Sequence, residues 1–284
     1  MPERRTVAAT LADAARRLAD ALALPQREAR LEARILASRT LDVETVWLLA
    51  HDTDVLTETQ TAAFEVLLGR RLAGEPVAYI LGEREFYGRP FRVTPATLIP
   101  RPETEHLVEA ALARGPTAAR VLDIGTGSGC IAITLKLERP DWQVTAVDLS
   151  TDALAVAGDN ATRLGAKVEC LPSDLFAALA GRTFELIVSN PPYVADADPH
   201  MGQGDVRFEP HTALTSGADG LDAIRAIVKR APAHLAAGGW LLLEHGWDQG
   251  EAVGRLLAEA GFEAVFLERD LAGQARVSGG RANA

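Results

Sequence analysis

The run Val121-Leu122-Asp123-Ile124 passes directly into Gly125-Thr126-Gly127-Ser128-Gly129 and then into an apolar stretch of helical period. A buried strand, a glycine-rich turn and a helix in that order form the ligand crevice of an open α/β sheet, because glycine lets a ligand approach the backbone. Downstream the alternation continues. Strands are expected at 120–124, 144–148, 166–171, 184–189, 240–245 and 262–268, with a last one at 275–281. Helices are expected at 130–138, 151–164 and 219–236, the last stopped by Gly238-Gly239. Such a chain builds a mostly parallel sheet covered on both faces.

The spacing of the glycines narrows the ligand. A dinucleotide fingerprint needs glycine at the sixth position of G-x-G-x-x-G, and that position is Cys130, with Gly129 one place early. No Gly-Lys-Ser or Gly-Lys-Thr follows, so there is no P-loop either. Asp148 ends the second strand, where a carboxylate accepts hydrogen bonds from both ribose hydroxyls of an adenosine cofactor. Ser173-Asp174-Leu175-Phe176 follows the third strand at the same sheet edge and is a candidate border for the adenine. Asp123 is a candidate to orient the amino acid end of a ligand through the loop. Each of these carboxylates reads alternatively as a helix cap or a solvated charge, and for Asp174 taken alone that is the better reading.

At the end of the fourth strand stands Asn190-Pro191-Pro192-Tyr193. The prolines lock their own φ angles, extend the residue before them and carry no N–H. Asn190 adds a side-chain carbonyl, and Tyr193 adds a flat face with a polar tip. Two readings stay open on local grounds: a rigid loop start with Tyr193 packed beneath it, or a clamp for a planar group bearing an NH2. Residues 194–217 follow without a clear period, and a stretch that long in a compact domain is usually functional or disordered.

The first 75 residues read differently. Val7, Leu11, Leu18 and Leu22, then Leu31, Ile35 and Leu36, then Val46, Leu49 and Ala50 recur at helical spacing, with Pro25 between the first two helices. Thr57 and Gln60 form a capping box for a helix carrying Phe64, Leu67, Leu68 and Leu72. This helical bundle, residues 1–75, serves either packing or recognition of a macromolecular partner. Tyr79-Ile80-Leu81 and the segments around Tyr87-Gly88 are expected to be extended, making 76–98 a β-hairpin linker. In 99–105 two prolines hold a loop that opens a helix on acidic residues, and it either lines a site or serves as a helix entrance.

Composition sets limits on function. The formal net charge of −10, from 29 Lys and Arg against 39 Asp and Glu, disfavours a nonspecific grip on nucleic acid. Cys130 and Cys170 are the only cysteines, and the six histidines show no metal-ligand spacing, so neither a disulfide framework nor a metal site is expected. With no apolar run of about 18 residues, a cytoplasmic location is expected.

These motifs resemble the class I S-adenosylmethionine-dependent methyltransferases, and within them the PrmC/HemK protein-(glutamine-N5) methyltransferases. The resemblance rests on Gly74-Glu75-Pro76-Val77-Ala78-Tyr79-Ile80, Ile99-Pro100-Arg101-Pro102-Glu103-Thr104-Glu105, the segment from Asp123 through Gly129, Ser189-Asn190-Pro191-Pro192-Tyr193 and Phe208-Glu209-Pro210. Asn-Pro-Pro-Tyr is shared with adenine and other amino-methyltransferases, so residues 99–105 carry most of the narrower assignment. The resemblance implies a Rossmann-like methyltransferase domain over 99–284, with an antiparallel last strand. It implies that Asp123, Gly125, Thr126, Gly127, Ser128, Gly129, Asp148, Asp174 and Leu175 hold S-adenosylmethionine, with Asn190 near its methyl group. Leu175 stands where some members have Trp, which leaves Phe176 as the neighbouring aromatic.

The implied substrate is the glutamine of the Gly-Gly-Gln motif in class 1 peptide chain release factors, without direct binding of nucleic acid. An amide nitrogen is a poor nucleophile because its lone pair is delocalised into the carbonyl. Under this reading the Asn190 side-chain oxygen and the Pro191 carbonyl each accept from the substrate NH2, Pro192 stiffens the turn and Tyr193 packs on the amide plane. Two rivals remain: a nucleic acid methyltransferase acting on an exocyclic amine, and an S-adenosylmethionine-binding protein without catalysis.

Overall fold

The computed structural model describes residues 5–283, which fall into two compact units. The first comprises the chain up to Gly82 together with His200–Phe208. Its helices are α1 (Val7–Leu22), α2 (Gln26–Leu41), α3 (Thr45–Ala50), α4 (Glu58–Leu72) and α5 (Val77–Leu81). Thr6 caps α1 by accepting from Ala9 N–H, and Thr57 and Gln60 form the expected reciprocal box at α4. Leu18, Leu36, Leu48, Phe64 and Leu68 make the core, with Ala14, Ala29 and Ala33 among the small residues between them.

A charge lies inside this apolar bundle. Arg71, only 4% exposed, donates from Nε and Nη2 to the two carboxylate oxygens of Glu32 at 2.8 and 3.1 Å. Its Nη1 reaches the carbonyls of Gly74 and Glu75 and, at 2.9 Å, the carboxylate of Asp205. The fork of the guanidinium thus ties α2, the turn after α4 and the returning segment His200–Phe208 into one unit.

Tyr79-Ile80-Leu81 is helical rather than extended. Pro76 caps a single turn, Ala78, Tyr79 and Ile80 are all buried, and Gly82 ends it at φ +75°. So short an apolar run is decided by what it packs against, which local pattern does not carry.

The second unit begins with a hairpin of β1 (Glu83–Phe86) and β2 (Arg89–Arg92). Tyr87 and Gly88 both have positive φ, 52° and 73°, as a two-residue type I′ turn requires. Phe86 and Phe91 pack edge to face in the core. There follow α6 (Glu105–Arg114), β3 (Arg120–Ile124), α7 (Cys130–Glu138), β4 (Gln143–Asp148), α8 (Thr151–Leu164), β5 (Val168–Pro172) and β6 (Phe184–Ser189). The chain closes with α9 (Asp222–Arg230), β7 (Leu235–Glu244), α10 (Gly250–Glu259), β8 (Glu263–Arg269) and β9 (Ala275–Arg281).

The larger sheet has seven strands in the order β5-β4-β3-β6-β7-β9-β8, and only β9 runs antiparallel to its neighbours. Alternate residues face opposite layers. Val121, Val144, Leu186 and Val188 join one core with Leu107 of α6 and Ile131 of α7. Leu122, Ile124, Val147 and Ile187 join the other with Ile224 of α9 and Val253 of α10.

One helix is shorter than its pattern suggests. α9 ends at Arg230 and passes into the 3-10 turn Ala231–His234, because Pro232 has no N–H for the next helical bond. Gly238 and Gly239 therefore lie inside β7 and stop no helix. The register between β6 and β7 shifts there, and a Cβ on Gly239 would stand 3.1 Å from the carbonyls of Phe184 and Glu185.

Candidate active site

Strand order reverses between β3 and β6, so the turns leaving their carboxyl ends open a crevice. Register then decides which residues meet. Ile124 lies opposite Ser189 and opposite Val147, while Ser189 lies opposite Leu243. The next residue of each strand brings Gly125, Asn190, Asp148 and Glu244 to one edge of the sheet. The Ser189 hydroxyl donates to the Ile124 carbonyl at 2.7 Å and locks the two central strands together just below that edge.

The glycine turn is held from beneath and open above. Gly125 and Thr126 donate to the Val147 carbonyl, and Gly127 N–H donates to Asp148 Oδ2 at 2.9 Å. Gly125, Gly127 and Gly129 have φ of 72°, 56° and 82°, where a side chain is strained. A Cβ at Gly125 or Gly127 would meet nothing within 4 Å, whereas one at Gly129 would collide with Ile133 at 2.8 Å. The first two glycines therefore leave a free cradle, and the third lets α7 pack.

Asp123 lies under this cradle and is fully buried. Its Oδ2 accepts from the Thr126 hydroxyl at 2.7 Å and from Ala132 N–H at 3.3 Å, while Oδ1 has no partner among the described residues. Burial pushes its pKa up to about 7, against the pull of those hydrogen bonds. It shapes the turn through Thr126. Ser128 is buried in the turn, and its carbonyl accepts from Asn160 Nδ2.

Asp148 is partly exposed at the rim. Ser150 N–H occupies Oδ1 and Gly127 N–H occupies Oδ2, each at 2.9 Å, which leaves about half of the four lone-pair directions of a carboxylate. Beside it, Ser173 N–H donates to the Asp148 carbonyl, and the Ser173 hydroxyl closes a turn onto the Leu175 carbonyl. That turn holds Leu175 half-buried at φ +51° and leaves Asp174 exposed. Phe176 is 2% exposed and stacked on His234 at 4.6 Å, so it packs in the core and is no substitute for an aromatic at the rim.

Asn190 follows β6 with its amide oriented. Nδ2 donates to Thr104 Oγ1 at 3.2 Å, and among the described residues no donor reaches Asn190 Oδ1 or the Pro191 carbonyl. Tyr193 is fixed through its backbone: Gln249 Nε2 donates to its carbonyl at 2.9 Å while Gln249 Oε1 accepts from Gly246 N–H. Gly220, at φ +74°, makes room for this, since its Cβ would fall 2.2 Å from the Tyr193 oxygen. Burial, with the Glu244 carboxyl nearby, raises the Tyr193 hydroxyl well above its ordinary pKa and keeps it neutral.

Residues 99–105 are pinned in the same unit. Glu209 Oε2 accepts from Ile99 N–H at 3.0 Å, and its other oxygen pairs with Arg101. The 194–217 stretch is ordered rather than structureless. Val194 bridges Thr215 at its base, and Pro199–Gly202, Gly204–Phe208 and His211–Ala213 are 3-10 turns.

Known proteins with the same pattern give the geometry its context. The family model described as Methyltransferase small domain matches residues 103–204, and the one described as PrmC N-terminal domain matches residues 9–82. The release factor glutamine methyltransferase of Bordetella pertussis is 55% identical over 88% of this chain and 94% of its own length. That of Escherichia coli K12 is 48% identical over 89% and 92%. The chain belongs to the release factor glutamine methyltransferases. In fold it is also similar to a T. thermophilus 16S rRNA N2 methyltransferase solved with AdoMet and guanosine, at 22% identity and a TM-score of 0.53, covering 71% of this chain and 50% of that one.

Several parts of this candidate site carry no local sequence signal. Thr104 stands inside a recognised motif, but its bond to Asn190 spans 86 residues. Gln249 and Gly220 reach Tyr193 only through the fold. His245 is a packing residue: buried, its pKa lowered by desolvation, it bonds the Gly246 carbonyl and the Ser278 hydroxyl, each at 2.8 Å. Cys130 is likewise inert, its thiol pushed up to about 12 by burial. A groove of about 720 Å3 opens at the other edge of the sheet, the amino ends of β3, β4 and β5. Its two arginines, Arg120 and Arg182, are already paired with Glu185 and Glu169, so it plays no part in the site. Among the described residues no helix is long and apolar enough to cross a membrane.

Proposed function

We propose that this protein methylates the side-chain amide nitrogen of the glutamine in the Gly-Gly-Gln motif of class 1 peptide chain release factors, in the cytoplasm, using S-adenosylmethionine. The observation that carries the reading is the pair of unengaged acceptors, Asn190 Oδ1 and the Pro191 carbonyl, on a rigid turn beside an open glycine cradle. Two acceptors suit an NH2 group, which has two protons to give. In this reading residues 1–75 recognise the release factor, 76–98 link, and 99–284 form the methyltransferase domain.

The residues present fit the cofactor. Backbone at Gly125 and Gly127 is bare of Cβ atoms, and Asp148 retains lone pairs for ribose hydroxyls. Thr126, Ser128, Gly129 and buried Asp123 keep the cradle in shape, while Asp174 and Leu175 stand at the adenine side. When bound, S-adenosylmethionine supplies an electrophilic methyl group on a sulfonium. Asn190 Oδ1 and the Pro191 carbonyl hold the amide nitrogen and stabilise the positive charge that grows on it. Pro192 keeps the turn stiff. Tyr193, neutral and anchored by Gln249, offers a face to the amide plane. The excess proton leaves to a carbonyl or to water after transfer.

Incubated with labelled methyl donor and, in turn, release factor, DNA or RNA, the protein is expected to label only the release factor; label in DNA or RNA would favour the exocyclic-amine rival. Asp148→Ala is expected to weaken S-adenosylmethionine binding at least about tenfold, the loss of a charge-assisted hydrogen bond. Unchanged affinity in a calorimetric titration would remove Asp148 from the cofactor site.

A further inference from the structure

We propose that Thr104 and Glu244 act as a positioning pair that fixes which way round the Asn190 side-chain amide sits, so that its oxygen and not its NH2 faces the acceptor. The proposal rests on the clamp reading above. An asparagine amide is nearly symmetric in shape, and a half-turn exchanges an acceptor for two donors. Turned the wrong way, Asn190 would point N–H at the substrate NH2 and the clamp would repel its guest.

Something must therefore choose the orientation. The turn itself does not, since Pro191 and Pro192 have no N–H with which to hold the Asn190 oxygen. Thr104 Oγ1 takes Nδ2 at 3.2 Å. A free hydroxyl could equally donate to Oδ1, so it discriminates only if its own proton is committed elsewhere. Glu244 supplies that commitment. It is the last residue of β7, one beyond the Leu243–Ser189 pair, and so stands beside Asn190. Glu244 and Thr104 both adjoin Asn190, one through the register of the sheet and the other through the amide, and the Thr104 proton is assigned to the Glu244 carboxyl.

Glu244 is 1% exposed, and among the described residues its Oε2 has no hydrogen-bond partner. Such a carboxyl is costly to keep unless something uses it. The neighbouring cations are occupied: Arg276 pairs with Asp270 and Arg101 with Glu209. Glu103 adds a like charge, and Tyr193 lies alongside. A hydroxyl whose proton goes to Glu244 offers Asn190 only lone pairs. Only the NH2 end of the amide can then sit there.

Thr104→Val keeps the shape and removes the hydroxyl, whereas Thr104→Ser restores it. For Thr104→Val, kcat for release factor methylation is expected to fall at least about tenfold, with KM and S-adenosylmethionine affinity within about threefold, as misorientation at a reacting centre requires. Thr104→Ser is expected to recover most of the turnover. Glu244→Leu should lower kcat similarly, and adding it to Thr104→Val should cost nothing further, because Glu244 acts through Thr104. Independently of activity, the Asn190 Nδ2 protons of the wild type, assigned by their absence from the Asn190→Ala spectrum, should exchange with solvent at least about tenfold more slowly than in Thr104→Val. Equal losses in the Val and Ser variants, additive losses in the double variant, or equal exchange rates would overturn the positioning role. If Asn190→Ala itself turns over normally, it is the clamp reading that fails.

Discussion

Asn190→Ala is expected to lower kcat for release factor methylation by about a hundred- to a thousandfold while leaving S-adenosylmethionine affinity within about threefold, the range seen when one preorganised group is removed from a developing charge. The split follows from where Asn190 stands. Its Nδ2 is engaged by Thr104, and among the described residues no donor reaches its Oδ1, so that oxygen is its one unspent function. The cradle of Gly125 and Gly127 is held by Val147 and Asp148, neither of which touches Asn190 through a hydrogen bond. Cofactor binding should therefore survive the substitution. Radiolabelled methyl transfer measured beside calorimetry separates the two quantities, and near-normal turnover would remove the amide clamp from the account.

The second large effect belongs to the helical unit. Arg71→Leu leaves the Glu32 carboxylate inside the bundle without its bidentate partner, and breaking a buried pair from one side costs about 3–5 kcal/mol. Amide hydrogen exchange along α2 and α4 should speed by at least about a hundredfold, each 1.4 kcal/mol being about tenfold. Replacing Glu32 by Leu as well should restore most of the stability, since exchanging a whole buried pair for apolar groups is close to neutral. Exchange within about threefold of the wild type in Arg71→Leu would mean that Arg71 contributes only as an exposed pair does.

Much of this was legible from one chain because the relevant signals are local. A parallel sheet buried on both faces leaves near-continuous apolar runs, and Val121, Val144 and Leu186 announce their strands without help from context. Thr57 and Gln60 mark a helix start through bonds only three residues long. The glycine turn and Asn190-Pro191-Pro192-Tyr193 likewise carry their constraint within a few residues. Legibility ended where distance in sequence began. Whether Tyr79-Ile80-Leu81 coils or extends depends on burial that no neighbour encodes, and α9 stops at Arg230, ahead of Pro232, although apolar spacing continues beyond it. Phe176 looked like a partner for adenine because it is one residue from Leu175, yet the turn at φ +51° sends it down onto His234.

The supports of the site are the least visible of all. Glu209 holds Ile99 and Arg101 across about a hundred residues, and Gln249 holds Tyr193 across 56. Glu244 comes to the edge beside Asn190 only because β7 lies beside β6 in the sheet. Each is an ordinary residue whose role is conferred by register.

The position at which the methyl group lands decides the function. Mass spectrometry of the Gly-Gly-Gln peptide from a release factor, incubated with S-adenosylmethionine with and without this protein, reads that directly. The predicted result is the mass of one methyl group added to the side chain of that glutamine, only when the protein is present. An unmodified glutamine, or a methyl group on another residue of the peptide, would contradict it.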